Sequence, residues 1–549
     1  MDKKELNQLV KKAVLSAQRV GKLPSFDIPE PIIEFPKREE HGDYATDIAF
    51  SISGLSGTVP QVSASIIREE LDDKLGDSVE VFPPGFINFK VPDKELFKSL
   101  KKILRKGKDY GRQNVKKTMV IDYSAPNIAK PFGIGHLRST IIGQAIYNIY
   151  KFLGWKCIGD NHLGDWGTQF GKLITAIKRW GAEKKLDINE LESLYVRFHA
   201  ESEKDESLLK EARDWFKKLE KGDKEARRIW KICVDISKKE FDRIYKLLGV
   251  QIDQALGESF YEDKTEAVIE KAKELGIAKE SQGALVIPLP GFKTPLMLLK
   301  SDGATTYETR EMATIKYRQE TWHPDLIVWE VGVDQKLHFQ KAFKAAEILG
   351  YKGDSEFVHV AHGLIRWPDR KFSTRRGDTI RLEDVLKEAI KKAKRVSSKS
   401  AKKVGIGAVK YNDLSRHHSR DIIFDLDKMV TLEGNSGPYI QYTAVRCKSV
   451  LKKAKLKRFK VGSLNPEEQL ILRTLRKFPE IVQEAGENFS PNLICNFVYS
   501  LSQKYNLFYE KHSILQGDNK EFRIALTKGV LQILENSLNL LGIEVPEEM

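Results

Sequence analysis

Four residues have the types and spacing that phosphate chemistry needs: Lys130, Gly133, Gly135 and His136, inside the run Tyr123–Thr140, YSAPNIAKPFGIGHLRST. Glycines let backbone approach a ligand closely. A histidine and a lysine add a donor and a charge, and the free N–H groups of a helix starting at the glycines would meet the same anion. Two elements must position them. Met119, Val120 and Ile121 read as a short buried strand before the turn. Leu137, Ile142, Ala145, Ile146, Ile149 and Leu153 give helical spacing after it, with Gly154 as the stop. Two other phosphate motifs are excluded. In a dinucleotide fingerprint starting at Gly133 the third glycine would fall on Arg138, and the run Gly167 to Lys172 is one residue short of a P-loop and is followed by Leu173.

Further candidates lie downstream. Sheet-like runs appear at Ala284–Ile287, Leu296–Lys300, Leu326–Val333 and Phe357–Ile365. In open α/β sheets ligands bind outside the carboxyl ends of strands, which singles out Asp122, Asn127, Asp334 and Gln335. If a helix starts near Tyr307, then Tyr307 and Glu311 share a face. His359 and His362 have awkward spacing for a metal pair on a strand, so a structural or nucleotide-side role is expected. Asp369 to Asp378, DRKFSTRRGD, is a basic loop with Ser, Thr and Gly interleaved.

At 549 residues the chain has room for about three or four domains. Its 41% hydrophobic content supports real cores, and no apolar run reaches the ~20 residues a membrane helix needs. The first residues, MDKKELNQLVKKAV, lack the apolar stretch of a signal peptide, and their acids argue against a transit peptide. The four cysteines lie far apart with no CxxC pair, which disfavours zinc and disulfides and suits a cytoplasmic protein. A net charge of +15 suits a polyanionic partner.

Residues 1–110 read as a small α/β domain, with an apolar helix face at Leu6, Leu9, Val10, Ala13, Val14 and Ala17 and a turn-then-strand at Pro83–Phe89. His41 and Asp43 are as readily turn residues as functional ones. From about 111 to 385 the pattern is strand–helix–strand, interrupted near 180–250 by a charged helical insertion. A basic connecting region spans 386–430, and 431–549 is nearly all helix, with Asn465 capping Pro466 and a stripe at Ile471, Leu472, Leu475, Phe478 and Val482. Basic runs at Lys387–Lys403 and Lys452–Lys460 are solvated faces or phosphate contacts in equal measure.

The segment from Gly133 to His136 resembles the His-Ile-Gly-His signature of class I aminoacyl-tRNA synthetases, with Gly133 in place of the first histidine. The longer runs Pro126–Thr140 and Asn161–Gly171 (NHLGDWGTQFG) resemble arginyl-tRNA synthetases in particular. Residues 369–378 resemble the second class I signature, Lys-Met-Ser-Lys-Ser, with Thr374 at the second lysine; Lys371, Arg375 or Arg376 could supply the phosphate charge instead, as could Lys130. The resemblance implies a Rossmann-type parallel-sheet catalytic domain with insertions, a small α/β N-terminal appended domain that contacts tRNA, and an all-helical C-terminal anticodon-binding domain, in which Tyr439, Tyr442, Asn506, Phe508 and Tyr509 are stacking or core aromatics and polar neighbours.

The activity implied is ATP-dependent formation of arginyl-adenylate, then transfer to the 3′ end of tRNA(Arg). The resemblance puts ATP against Gly133, Gly135, His136, His362, Gly363, Lys371 and Ser373, with His136, Lys371 and Lys130 catalytic. A guanidinium is a planar fork of donors that carboxylates match, so acids are required beside the nucleotide. The family pattern assigns Asp122 and Glu311 to this task, with the two acid lengths exchanged, and Asn127, Tyr307 and Gln335 complete the arginine pocket. Mg²⁺ is expected to arrive with ATP, without a structural metal, and the protein to be a monomer. Alternatives are another class I synthetase, a non-catalytic RNA-binding paralogue and a small-molecule nucleotidyltransferase.

Overall fold

The computed structural model describes residues 1–71, 75–181, 186–366, 380–423, 425–454, 459 and 462–549. It divides into two compact units. One gathers Met1–Tyr110, Val450–Glu480 and Leu501–Ile533; the other gathers Gly111–Ser449, Ile481–Ser500 and Leu534–Met549.

In the first unit, four antiparallel strands lie in the order Ile33–Glu34, Tyr44–Thr46, Phe86–Phe89, Val79–Phe82. The helix Lys3–Arg19 starts at an Asp2–Glu5 capping box and buries Leu6, Val10, Ala13, Val14 and Ala17, the face its spacing predicts. Asp43 is structural: it accepts from Val91 N at 2.7 Å and pairs with Arg473. Asn465 caps the helix Pro466–Arg476 through a box with Glu468. The apolar stripe buries Ile471, Leu472, Leu475 and Phe478.

The second unit is built on four parallel strands: β1 (Thr118–Asp122), β2 (Lys156–Asp160), β3 (Leu326–Gly332) and β4 (Glu356–His362), in the order β4-β3-β1-β2. Helix α1 (Ile134–Phe152) links β1 to β2, α2 (Tyr307–Trp322) precedes β3, and α3 (Lys336–Ile348) links β3 to β4. Met119, Val120 and Ile121 are wholly buried, as expected of a central strand covered on both faces. The chain leaves β1 toward β2 on one side and later returns to β3 on the other. The carboxyl ends of β1 and β3 therefore flank a topological switch point, where such sheets hold ligands.

Between β2 and α2 come the helices Ile188–Ser202, Ser207–Glu220 and Lys224–Leu248, the expected insertion. Ala284–Ile287 and Leu296–Leu299 do not join the parallel sheet. With Lys279–Ser281 they form a separate antiparallel sheet, because Gln282 and Gly283, both left-handed, make a two-residue hairpin too short for a crossover. Among the described residues no helix is long and apolar enough to cross a membrane.

Candidate active site

The turn after β1 is held in an unusual backbone. Ser124, Ala125 and Ala129 have φ of 76°, 41° and 61°, a region that side chains with a Cβ enter at a cost of about 1–3 kcal/mol each. Partners from several elements offset that cost. Ser124 N donates to Ser139 Oγ at 2.8 Å, and Ser124 Oγ shares hydrogen bonds with Thr140 Oγ1 and Tyr245 Oη, both at 2.8 Å. Ala125 N donates to Asn161 Oδ1 at 3.0 Å and Ala129 N to Ser237 Oγ at 2.9 Å.

The two glycines do different things. Gly133 is the N-cap of α1 with ordinary backbone, φ −84°. Gly135 lies inside the first helical turn rather than in the loop, and a Cβ there would meet nothing within 4 Å, so that face is open to a ligand. Gly133 N donates to His136 Nδ1 at 3.3 Å, which leaves the imidazole proton on Nε2. Burial, and then Lys130, push His136 down to about 4, so it is a neutral donor near pH 7. Lys130 Nζ sits 5.3 Å over the Tyr195 ring of the insertion. Burial and Lys130 together lower Lys172, a further cation outside the candidate phosphate ligands.

On the other side of the switch point, Glu311 Oε1 accepts from Trp329 Nε1 at 3.1 Å, and Oε2 lies 4.0 Å from His338 Nε2. The Tyr307 ring is 5.2 Å from His338, so Tyr307, Glu311 and His338 form one group. Helix α2 does begin at Tyr307, which puts Tyr307 and Glu311 one turn apart. Burial alone would raise the Glu311 carboxyl, but His338, His162 and Arg318 hold it at about 2.

Asp122 is differently placed from the free carboxylate expected. Its Oδ2 accepts from Arg318 Nη2 at 2.7 Å, while Asp160 Oδ2 accepts from Arg318 Nε and Nη2 at 3.0 and 2.8 Å. All three side chains are buried. A protein guanidinium therefore already occupies Asp122. The two acids still share one end of the sheet: Trp329, the β3 partner of Asp122, stacks 5.7 Å from the Arg318 guanidinium and donates to Glu311.

Asn127 is exposed and bridges to Gly164, where a Cβ would come within 2.5 Å of Asn127 Oδ1. Gln335 and Asp334 are exposed in the short turn Val333–Gln335 that leads into α3. The run Gly257-Glu258-Ser259 braces the loop after β2. Ser259 donates to Asp165 through N at 2.8 Å and Oγ at 2.7 Å, and Glu258 accepts from Arg310 Nε at 3.1 Å.

His359 and His362 are held apart by separate partners. His359 Nε2 bonds Val331 O at 3.1 Å, and His362 Nδ1 bonds the buried Glu330 at 2.9 Å. Among the described residues no group of three or more His, Cys, Asp or Glu side chains is placed to hold a metal. Gly363 N donates to His418 O at 3.0 Å. The same carbonyl accepts from Arg138 Nη2 at 3.1 Å, while Arg138 also reaches Arg420 O at 2.7 Å and Asp413 at 3.2 Å. Lys371 and Ser373 lie outside the described residues, as does the rest of the loop 369–378. Arg318, His338, Arg138 and Trp329 are absent from the sequence-derived candidates. Arg138 and His162 do lie inside the runs that carry the resemblance, and that is the signal that could have found them.

Sheet order, the strand–turn–helix with its open Gly135 and the helical tail define a protein built like the class I aminoacyl-tRNA synthetases. The family model for tRNA synthetases class I (R), catalytic domain, matches residues 99–426, the arginyl tRNA synthetase N terminal domain matches 4–91, and the DALR anticodon binding domain matches 440–549. The chain is 40% identical to the arginine–tRNA ligase of Halothermothrix orenii, over 97% of this chain and 98% of that one. It is 39% identical to that of Clostridium botulinum, over 95% and 97%. The crystal structure of arginyl-tRNA synthetase from Plasmodium falciparum shares the fold, with a TM-score of 0.86 at 24% identity over 100% of this chain and 99% of that one. The chain belongs to the arginyl-tRNA synthetase family.

Proposed function

We infer that this protein is an arginine–tRNA ligase: it activates L-arginine with ATP and transfers the arginyl group to the 3′ end of tRNA(Arg). The observation that carries the reading is Glu311, a carboxylate held low enough to stay ionised, with one oxygen fixed by Trp329, the β3 partner of Asp122. In the first step an arginine carboxylate oxygen attacks the α-phosphorus and pyrophosphate leaves. In the second a ribose hydroxyl of tRNA attacks the arginyl carbonyl and AMP leaves. Neither step needs a protein nucleophile, so positioning and charge do the work.

In this reading Gly133, Gly135, His136, His362, Gly363 and Ser373 line the nucleotide, and His136 donates from Nε2 as a neutral group. Lys130 and Lys371 supply charge to the phosphates, with Mg²⁺ carried in by ATP. Glu311 meets the arginine guanidinium or α-amino group, with Tyr307, Asn127 and Gln335 around it, and Asp122 contributes through Arg318. A substrate lacking the cation would leave Glu311 unpaired, which is strong discrimination. We read residues 1–110 as the appended domain, 111–385 as catalytic, 386–430 as connecting and 431–549 as anticodon-binding, in a monomeric cytoplasmic enzyme.

Arginine-dependent exchange of pyrophosphate into ATP, run with and without tRNA, tests this directly. Exchange with arginine and none with other amino acids is expected; exchange driven by a different amino acid would overturn it. Lys130→Ala and Lys371→Ala should each slow adenylate formation about 100-fold, the scale for losing one charge-stabilising donor. A silent Lys130→Ala in single-turnover kinetics would remove its proposed compensation for Thr374.

A further inference from the structure

Glu330 is a carboxylate set in an apolar strand. Ile327, Val328 and Trp329 of β3 are buried hydrophobics, and Glu330 beside them has no exposed surface. Its Oε2 has no hydrogen-bond partner, a state that native proteins seldom leave without a reason. Its Oε1 has one, His362 Nδ1 at 2.9 Å. Burying a carboxylate costs far more than burying a hydrocarbon of the same size, so packing alone does not ask for an acid here. Glu330 also lies outside the signature runs 126–140, 161–171 and 369–378. What it does is fix an imidazole. Residues two apart on a strand share a face; Glu330 pairs with Val360 and Gly332 with His362. Carboxylate and ring therefore lie on one face of the sheet. His362 Nε2 sits over Gly332, 3.6 Å from where a Cβ would stand, at the carboxyl end of β3.

The two ring nitrogens of His362 have different tasks. An ionised carboxylate only accepts, so Nδ1 carries a proton, and in the neutral ring Nε2 is left with a lone pair. Wholly buried Glu330 covers the Nδ1 edge. The 11% of the His362 side chain that stays open therefore belongs to the opposite edge, the one with Nε2. Among the described residues Nε2 has no hydrogen-bond partner. The strand is tied to the nucleotide turn at this same position: Ser139 Oγ donates to Glu330 O at 2.7 Å and accepts from Ser124 N at 2.8 Å. A lone pair at the end of the sheet meets a donor well and another acceptor badly. Adenine carries an N6 amino donor where guanine carries the O6 acceptor.

We propose that Glu330 is a positioning residue: it holds His362 as the Nδ1–H tautomer, and His362 Nε2 then accepts from the amino group of adenine, selecting ATP over GTP. The proposal rests on the nucleotide-side reading of His362 given above. Its test uses the full-length protein above the ordinary imidazole value of about 6.5. The first measurement is ¹⁵N NMR of protein labelled at its 11 histidines, with the His362 signals assigned by their loss in His362→Phe. A protonated Nδ1 and a bare Nε2 are expected, with Nε2 moving on addition of ATP but not of GTP. The second is ATP against GTP in arginine-dependent pyrophosphate exchange. Glu330→Leu and His362→Phe should each shrink the preference for ATP about 10-fold to 100-fold, the scale of leaving one hydrogen-bonding group unmet, with the KM for arginine unchanged. Glu330→Gln, whose carbonyl can still accept from Nδ1, should keep the preference within about threefold. A proton on Nε2 in the wild type, or an undiminished ATP preference in both Glu330→Leu and His362→Phe, would overturn the assignment. Wild-type protein that shows the tautomer and the ATP-specific shift but exchanges pyrophosphate with a different amino acid would leave the pair standing and sink the ligase reading instead.

Discussion

Glu311→Gln is expected to raise the KM for arginine about 100-fold or more while ATP affinity changes less than about twofold, since unpairing a desolvated charge at a binding site costs about 2–5 kcal/mol. Glutamine keeps the shape, and its carbonyl can keep the bond that Glu311 Oε1 accepts from Trp329. What is lost is the charge. That charge is secure in the folded protein, because the carboxyl sits at about 2 against an ordinary 4.5. A depressed carboxyl contributes stability above its unfolded value, and that contribution fades as pH falls from about 4.5 through about 2. Arginine recognition by this residue should accordingly be flat across neutral pH. Steady-state kinetics in both substrates is the check. Equal losses for arginine and ATP, or no loss for either, would count against Glu311 as the cation's partner.

Removing Arg318 should have the largest effect on stability. Its guanidinium is fully buried and serves Asp122 and Asp160 together. Burial works against its charge, but the two carboxylates hold it protonated. Arg318→Met would leave two buried carboxylates facing each other, and breaking a buried pair from one side costs about 3–5 kcal/mol. The urea midpoint should fall accordingly. The triple variant Arg318→Met, Asp122→Asn, Asp160→Asn should recover most of the loss, because it removes the unpaired charges along with their partner. Unfolding of the single variant at the wild-type midpoint would show that this triad is not what holds the end of the sheet.

The parts of the site that lie close together along the chain are legible from residue order alone. A strand, a glycine-bearing turn and a helix with 3.6-residue spacing occupy residues 118–152, and Tyr307 and Glu311 fall on one face of a helix that starts where expected. Long-range pairing is what residue order hides. Arg318 sits in KYRQET, a stretch that reads as a solvated helix face, and its partner Asp122 is 196 residues away. Nothing local distinguishes a buried arginine from an exposed one, so Asp122 looks free to meet a substrate. His338 stands near Gln335 in the chain without any motif of its own; its contacts with Tyr307 and Glu311 depend on how α3 packs beside α2. The grouping of Val450–Glu480 and Leu501–Ile533 with the first 110 residues is invisible for the same reason. Chain order says little about which helices share a core.

The left-handed turn after β1 has a bearing on the insertion. Ser237 and Tyr245, both on the helix Lys224–Leu248, hold Ala129 and Ser124 in that backbone. The insertion is thus a buttress for the cradle it interrupts. A version of this protein trimmed of those helices would let Ser124 and Ala129 relax into ordinary backbone, and the entrance to α1 would lose its shape without a single substitution in the signature itself.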